Sequence, residues 1–371
     1  MNVKKNDIYF LLFYAPLFFV KLLTFDASSN ILKIIAILCF GIFILYVSSS
    51  KSYKLNEFIF WVVGGAYLSL LVITCGKEGA LFSFIAIILM RYTNRLKNRS
   101  ILFYIGIIGI LICLYLTKNT RTAIRYIDGA WVSMTKRSNI AFISFFSVMN
   151  LYLITYKDTK NKTLIVLALL SYLIYKYTGC RTGIVCAIVL IGLLFMLRSN
   201  RIAKMKIVKI GLISSPALCM LISIVMVYAF DSGEKWAILL NHMLQGRLKQ
   251  GSMFMSVYEP KLFGQELIEN FSNSNFFVLD SAYLDMLLCY GILFSVIWVV
   301  MSTLVINWLY KKQDYIGVAV IVSFAIFGIS ETFLSNCFLN SSLFLYGEYI
   351  MDKLKLGIDN SQPIKLLSNK K

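Results

Sequence analysis

Two groups of residues in this 371-residue chain have the types and spacing to handle phosphate and sugar chemistry. The first group is cationic. Arg121 and Arg125 are four apart, so on a helix they would share a face and could grip a diphosphate. Arg181 lies in Gly179-Cys180-Arg181-Thr182-Gly183, caught between two apolar runs with almost no loop. Its planar fork suits bidentate phosphate contact, and the flanking glycines permit close backbone approach to a ligand. The plainer reading is a guanidinium snorkelling to a membrane boundary. Arg247, after Gly246, is either a phosphate-binding or catalytic group or a dipole partner at the end of a short helix.

The second group is acidic, with one imidazole. Asp280 precedes Ser281-Ala282-Tyr283-Leu284-Asp285, where it is either a helix cap or a group that takes a proton from a sugar hydroxyl or orders the arginines. Asp285 lies within an apolar run, a costly place unless it faces protein or water, and is a second candidate. Glu331 and Glu266 are weaker ones. His242, the only histidine, titrates in the right range for a general base, although a surface position on a loop helix is the simpler account. No metal-ligand spacing surrounds it, and the eight cysteines are scattered without paired spacing, as small buried hydrophobes are.

The elements that must position these residues are membrane spans. Hydrophobic residues make up 59% of the chain and charged residues 15%, against about 25% charged in soluble proteins. Apolar blocks suited to a hydrocarbon core of about 30 Å recur along the chain. Spans are predicted near 8–24, 31–47, 58–75, 78–91, 101–117, 139–156, 163–178, 183–197, 207–229, 282–308, 316–331 and 334–350. A soluble all-helical core would need polar faces that Ile101 to Leu116 and Ile207 to Tyr228 lack, and period-two alternation for a β-barrel is absent.

The net charge of +19 sits in short clusters between spans, which argues against a nucleic-acid-binding domain and for membrane orientation. Connectors with Lys51 and Lys54, Arg91 to Arg99, Lys157 to Lys162, Arg198 to Lys206, and Lys311 with Lys312 are assigned to the cytoplasm, together with both termini and the tail 351–371. Lys4 and Lys5 precede an apolar run without a cleavage site, so the first span is expected to be retained. The other connectors, 117–138, 178–183, 230–281 and the turn around Glu331, fall outside. The long 230–281 loop is expected to lay one or two amphipathic helices over the bundle.

In order along the chain, Gly179-Cys180-Arg181-Thr182, then Gly246-Arg247, Pro260 and Leu262-Phe263-Gly264, then Leu279-Asp280-Ser281-Ala282-Tyr283 and Tyr290-Gly291 give it a resemblance. The chain resembles the Wzy-type polysaccharide polymerases, relatives of the O-antigen ligases, as found in low-GC Gram-positive bacteria that make capsule or exopolysaccharide. Cys180, Ser281 and Gln265 stand where that family often has Ser, Asn and a second Gly.

The resemblance implies a bundle of about twelve transmembrane helices, GT-C-like, in a bacterial cytoplasmic membrane. It implies a metal-independent inverting glycosyltransferase without cofactor, whose donor and acceptor are both undecaprenyl-pyrophosphate-linked oligosaccharides. A flippase and a chain-length regulator of the same pathway are implied partners. On this reading Arg181 and Arg247 hold pyrophosphate, Arg121 and Arg125 serve the entry or the second phosphate, and Asp280 or His242 is the base. A glycan ligase, a flippase or exporter of lipid-linked glycans, and a scaffold without catalysis remain alternatives.

Overall fold

The computed structural model describes the backbone of residues 5–23, 29–49, 55–91, 95–118, 123–127, 130–134, 136–268, 270–271, 275–276 and 279–354. In chain order the helices are α1 (Lys5–Leu23), α2 (Ser29–Ser49), α3 (Leu55–Cys75), α4 (Gly79–Arg91), α5 (Arg95–Lys118), α6 (Lys136–Tyr156), α7 (Asn161–Thr178) and α8 (Arg181–Arg198). They continue with α9 (Asn200–Ala203), α10 (Lys206–Asp231), α11 (Lys235–Met243), α12 (Arg247–Val257), α13 (Ala282–Asp285), α14 (Ile292–Lys311), α15 (Tyr315–Phe327) and α16 (Leu343–Lys353). Two small antiparallel ribbons accompany them, β1 (Ala123–Ile127) with β2 (Ala130–Met134) and β3 (Asn270–Phe271) with β4 (Asn275–Phe276).

This is an all-α, polytopic membrane bundle. Among the described residues six helices are long and apolar enough to cross a bilayer: Leu55–Cys75, Lys97–Tyr115, Asn139–Tyr156, Arg181–Arg198, Lys206–Asp231 and Ile292–Lys311. Shorter apolar helices run over Ile34–Leu45, Gly79–Met90 and Tyr315–Phe327. Burial divides them by role. On α3, Phe58, Ile59, Val62, Val63, Leu70 and Ile73 are exposed, a surface that suits lipid and not water. At the other extreme α6 is mostly buried and α15 is packed on every side, with Phe146 of α6 edge-on to Phe324 and Phe327 of α15. A helix apolar all round belongs in the middle of such a bundle.

The two ends of the bundle differ in chemistry. At one end Lys97 pairs with Asp7, Arg99 with Glu348 at 2.5 Å, Lys157 with Asp314 and Lys312 with Asp352. Because Lys97 and Arg99 open α5 side by side, the start of α1 and the body of α16 both lie near that end. The helices then place Lys77, Thr182, Arg247, Asp280, Asp285 and Glu331 at the opposite end.

Three predicted spans depart from a continuous helix. The span 282–308 is broken: α13 passes into a π-helical turn, Met286–Tyr290, and α14 starts only after Gly291. Here the backbone of 261–265 crosses the break. Gln265 donates to the Cys289 carbonyl, while Ile292 and Leu293 donate to the carbonyls of Lys261 and Leu262. Gly264 (φ +78°) and Gly291 (φ +92°) face each other so closely that a Cβ on Gly264 would sit 2.1 Å from the Cys289 oxygen, and one on Gly291 would sit 2.3 Å from the Gly264 nitrogen. The broken helix loses its own backbone partners and receives them from the loop.

The last two predicted spans, 316–331 and 334–350, also change. Helix α15 stops at Phe327 and α16 begins only at Leu343, leaving 328–342 as a non-helical segment that is almost wholly buried. Its Ser and Asn residues explain how it survives in an apolar interior. Ser83 of α4 donates to the Ser335 carbonyl and accepts from the Cys337 N–H, and Asn340 donates to the Leu334 carbonyl and accepts from Ser342. Ser341 bonds both the hydroxyl and the carbonyl of Ser147 on α6, and Tyr14 of α1 donates to the Cys337 carbonyl. Irregular backbone at membrane depth is tolerable when protein groups satisfy it.

Gly264→Ala combines an L-residue at positive φ with a backbone clash, so it is expected to cost at least about 2 kcal/mol. Its thermal unfolding midpoint in detergent should fall well below wild type. Gly65→Ala on α3, where nothing lies within 4 Å, should leave the midpoint unchanged or slightly raised.

Candidate functional site

Arg247 reaches its place through a tight reversal between α11 and α12. Gln245 (φ 58°) and Gly246 (φ 83°) are both left-handed, which turns the chain back within two residues. Gly246 has no side chain to cap α12, and Asn241, buried on α11, supplies the missing acceptor to the Lys249 N–H at 3.0 Å. On its other side α12 rests on α10 and α13 at Gly251, where a Cβ would come within 2.8 Å of Val227 and 2.9 Å of Leu284. The two loop helices thus pack against the bundle end, and Arg247 is the first residue of the second.

That position corrects one expectation. A cation at the end of a helix would gain from the macrodipole, but Arg247 opens α12, at the positive pole, where the dipole opposes it. Its counter-charge comes from elsewhere in the fold. Nη2 donates to Glu331 Oε1 at 2.6 Å, Nε faces Asp280 Oδ2 at 3.5 Å, and Nη1 donates to the Ser330 carbonyl.

Two further segments therefore converge on this guanidinium, and a third reaches it through Glu331. Ser330 and Glu331 come from the buried segment after α15. Asp280 comes from the approach to α13, which is docked through the Ala282 N–H on the Gly328 carbonyl and the Tyr283 hydroxyl on the Ala325 carbonyl, each 2.9 Å. Thr182, in the first turn of α8, donates to Glu331 Oε1 at 3.3 Å. Asp280 does not cap α13: Ser281 is the cap residue and no side chain bonds that turn.

The electrostatics follow from burial and count. Burial alone would lower the pKa of Arg247, but Glu331 and Asp280 outweigh it and hold the guanidinium more firmly protonated than usual. Glu331 stands beyond the end of α15 with its side chain 9% exposed. Its carboxyl is raised above the ordinary carboxylate range, first by burial and further by Asp280, against the pull of Arg247. Two carboxylates sharing one guanidinium leave one negative charge in excess, which is why Asp280 adds to the upward shift of Glu331.

The remaining candidates are distributed as follows. Asp285 is buried and pairs with Lys77 Nζ at 2.7 Å, so its cost within an apolar run is met by protein. Lys77 was not singled out from sequence, although it interrupts a long apolar stretch between Gly76 and Gly79 just as Arg181 does between its glycines. Arg181 opens α8, is exposed, and makes no ion pair with a described residue. Its flanking glycines have structural duties: Gly179 (φ 68°) ends α7, and Gly183 lets α8 close on Phe142, which an added Cβ would meet at 2.2 Å. The close approach expected of Gly183 is thus to Phe142.

His242 is exposed on α11 and is not among the groups around Arg247. Glu266 is exposed, with Oε1 3.8 Å from where a Cβ on Gly76 would stand. Arg125 lies on strand β1 opposite Val132, which replaces the expected helical face shared with Arg121. Arg121 lies outside the described residues, as does most of the tail 351–371. Among the described residues no group of three or more His, Cys, Asp or Glu is placed to hold a metal ion.

No protein-family model matches this chain, and neither the curated proteins nor the solved structures contain a match.

Chemically, the site is a cation fixed between acids of unequal burial, beside a narrow cleft lined by Leu244, Arg247, Leu248, Ser281, Leu284 and Ser330. Breaking such a buried pair by deleting one partner costs about 3 to 5 kcal/mol. Glu331→Ala is therefore expected to destabilise the chain by roughly 3 kcal/mol, measured by unfolding in detergent. Arg247→Met combined with Glu331→Met should lose clearly less than the sum of the two single changes. Additive losses would mean that the two groups do not support one another.

Proposed function

We propose that this protein is a metal-independent inverting glycosyltransferase that polymerises undecaprenyl-pyrophosphate-linked oligosaccharide repeats at the outer face of a bacterial cytoplasmic membrane. The observation that carries the reading is the meeting of Arg247, Asp280 and Glu331 at one end of a membrane bundle. The sequence motifs that resemble the Wzy-type polymerases contribute Thr182, Arg247 and Asp280 to that meeting, from three separate stretches of chain.

In this reading the bundle crosses the membrane twelve times in a GT-C-like arrangement, with both termini cytoplasmic and the loop 230–281 outside. Having α1 and α16 anchored near one end, through Asp7 and Glu348, supports an even number of crossings. The basic turns at that end, with Lys97, Arg99, Lys157 and Lys312, support its assignment to the cytoplasm.

The reaction uses a cation and a base. An acceptor hydroxyl attacks the anomeric carbon from the face opposite the pyrophosphate, the glycosidic C–O bond to pyrophosphate breaks, and the electron pair leaves with the pyrophosphate. Arg247 stabilises the growing negative charge there, and Arg181, exposed at the same end, reaches the second phosphate. Asp280, the more exposed of the two carboxylates, takes the hydroxyl proton. Glu331 orients Arg247. Asp285, tied to Lys77, holds the break between α3 and α4 against α13.

Arg247→Ala should stop polymerisation, read by cell-surface glycan analysis beside a strain lacking the gene. Single repeats capping the lipid carrier support a polymerase. Finished lipid-linked polymer that stays unattached means a ligase, and repeats trapped on the inner leaflet mean a flippase. Arg181→Lys retains charge but loses the planar fork, so polymer length should collapse if the fork holds phosphate. Normal length would leave Arg181 as a membrane-boundary anchor.

A further inference from the structure

Each of the three guanidinium nitrogens of Arg247 faces a partner in this arrangement. Nη1 is taken by the Ser330 carbonyl, Nη2 by Glu331 and Nε by Asp280. The three partners are unequal. Ser330 and Glu331 belong to the buried segment after α15, and the Glu331 side chain is 9% exposed. Asp280 is 24% exposed, and its 3.5 Å contact is longer than an ordinary charged hydrogen bond. It is the partner that can leave at least cost.

The cleft beside it carries a second signal. Ser281 lines that cleft with Arg247, and its Oγ is buried with no hydrogen-bond partner among the described residues. A buried hydroxyl left without a partner is unfavourable, and native folds seldom keep one without a use. An idle donor thus lines the cleft that Arg247 also lines, and an exchangeable acid faces that guanidinium, an arrangement that suits a tetrahedral anion with several acceptor oxygens.

We propose that the cleft between Arg247 and Ser281 is the seat of one phosphoryl group, and that Asp280 is the place-holder this group displaces. Its oxygens accept from Arg247 Nε–H and from the Ser281 hydroxyl. Displacement then frees the Asp280 carboxylate only once the seat is filled, so the proton acceptor becomes available in step with its substrate. The inference rests on the proposed function for that last coupling; the seat itself would serve any phosphate ester, whether lipid-linked pyrophosphate or a phospholipid headgroup.

The test uses the full-length protein in nanodiscs of zwitterionic lipid, titrated with inorganic pyrophosphate. A place-holder lowers apparent affinity by occupying the site, so Asp280→Asn should bind pyrophosphate about tenfold tighter than wild type. Ser281→Ala should bind roughly tenfold weaker, with its unfolding midpoint unchanged. Asp231→Asn, at the end of α10 where Asp231 bonds Ser252, makes the same charge change away from the cleft and should leave affinity within about twofold. The proposal is overturned if Asp280→Asn binds no tighter than wild type, if neither binds at all, or if Asp231→Asn tightens binding equally.

Competition then identifies the source. Displacement of pyrophosphate by a short-chain prenyl pyrophosphate, and not by added phosphatidylglycerol, supports the seat as the donor's. Displacement by phosphatidylglycerol alone supports the seat but removes the polymerase reading, which is how the two failures are told apart.

Discussion

A backbone that leaves helical geometry inside an apolar bundle must find a partner for every N–H and C=O it exposes, because no solvent is present to supply one. That constraint organises the second half of this molecule. Residues 328–342 run unwound through the interior, and their carbonyls and amides are met by Ser83, Ser147, Tyr14, Asn336 and Asn340. Arg247 belongs to the same accounting. Its bond to the Ser330 carbonyl serves the unwound segment, while its bond to Glu331 serves the charge that segment carries. The candidate site is therefore an extension of the interior hydrogen bonding, and the two cannot be altered separately.

The helical bundle was largely legible in the sequence because lipid exposure leaves a plain mark. Helices such as α3 and α10 are apolar on their outward faces as well as toward their neighbours, and a run of that kind has few other destinations. The two places where periodicity misled are those where the chain is apolar but not helical throughout. Phe333, Leu334, Phe338 and Leu339 read as membrane-spanning, yet they fill the core from a non-helical backbone. The signal in this stretch is the density of Ser and Asn among them: Ser330, Asn336, Asn340 and Ser341 each offer a side chain to a backbone group, while Ser335 bonds the Tyr290 hydroxyl and Ser342 the Asn340 side chain. The break at Gly291 carried a similar sign, a glycine in an otherwise apolar run.

The site was legible in part for a different reason. Arg247 and Asp280 stood out because charge bordering a span demands an explanation, and they lie against each other. Glu331 ranked low because nothing local distinguishes a buried acid from a turn acid; its role depends on Arg247, 84 residues away in sequence. Lys77 is equally unmarked in the sequence, since its partner Asp285 comes from α13. His242 attracted notice as a singular residue type, and rarity alone says nothing of position. Long-range pairing is what a single sequence withholds.

The crossing of Gly264 over Gly291 has a consequence for the connector between α10 and α13. A tether of some fifty residues from α10 to α13 would have wide latitude, but fastening it at Gly264 divides it into two closed loops. Closure entropy depends on the length of each loop, so the fastened stretches are each more confined than the whole would be. The first stretch carries α11 and α12 with Arg247, the second carries the β3–β4 ribbon and Asp280. The cation and the acid that meet at the bundle end therefore come from two separately closed stretches of chain.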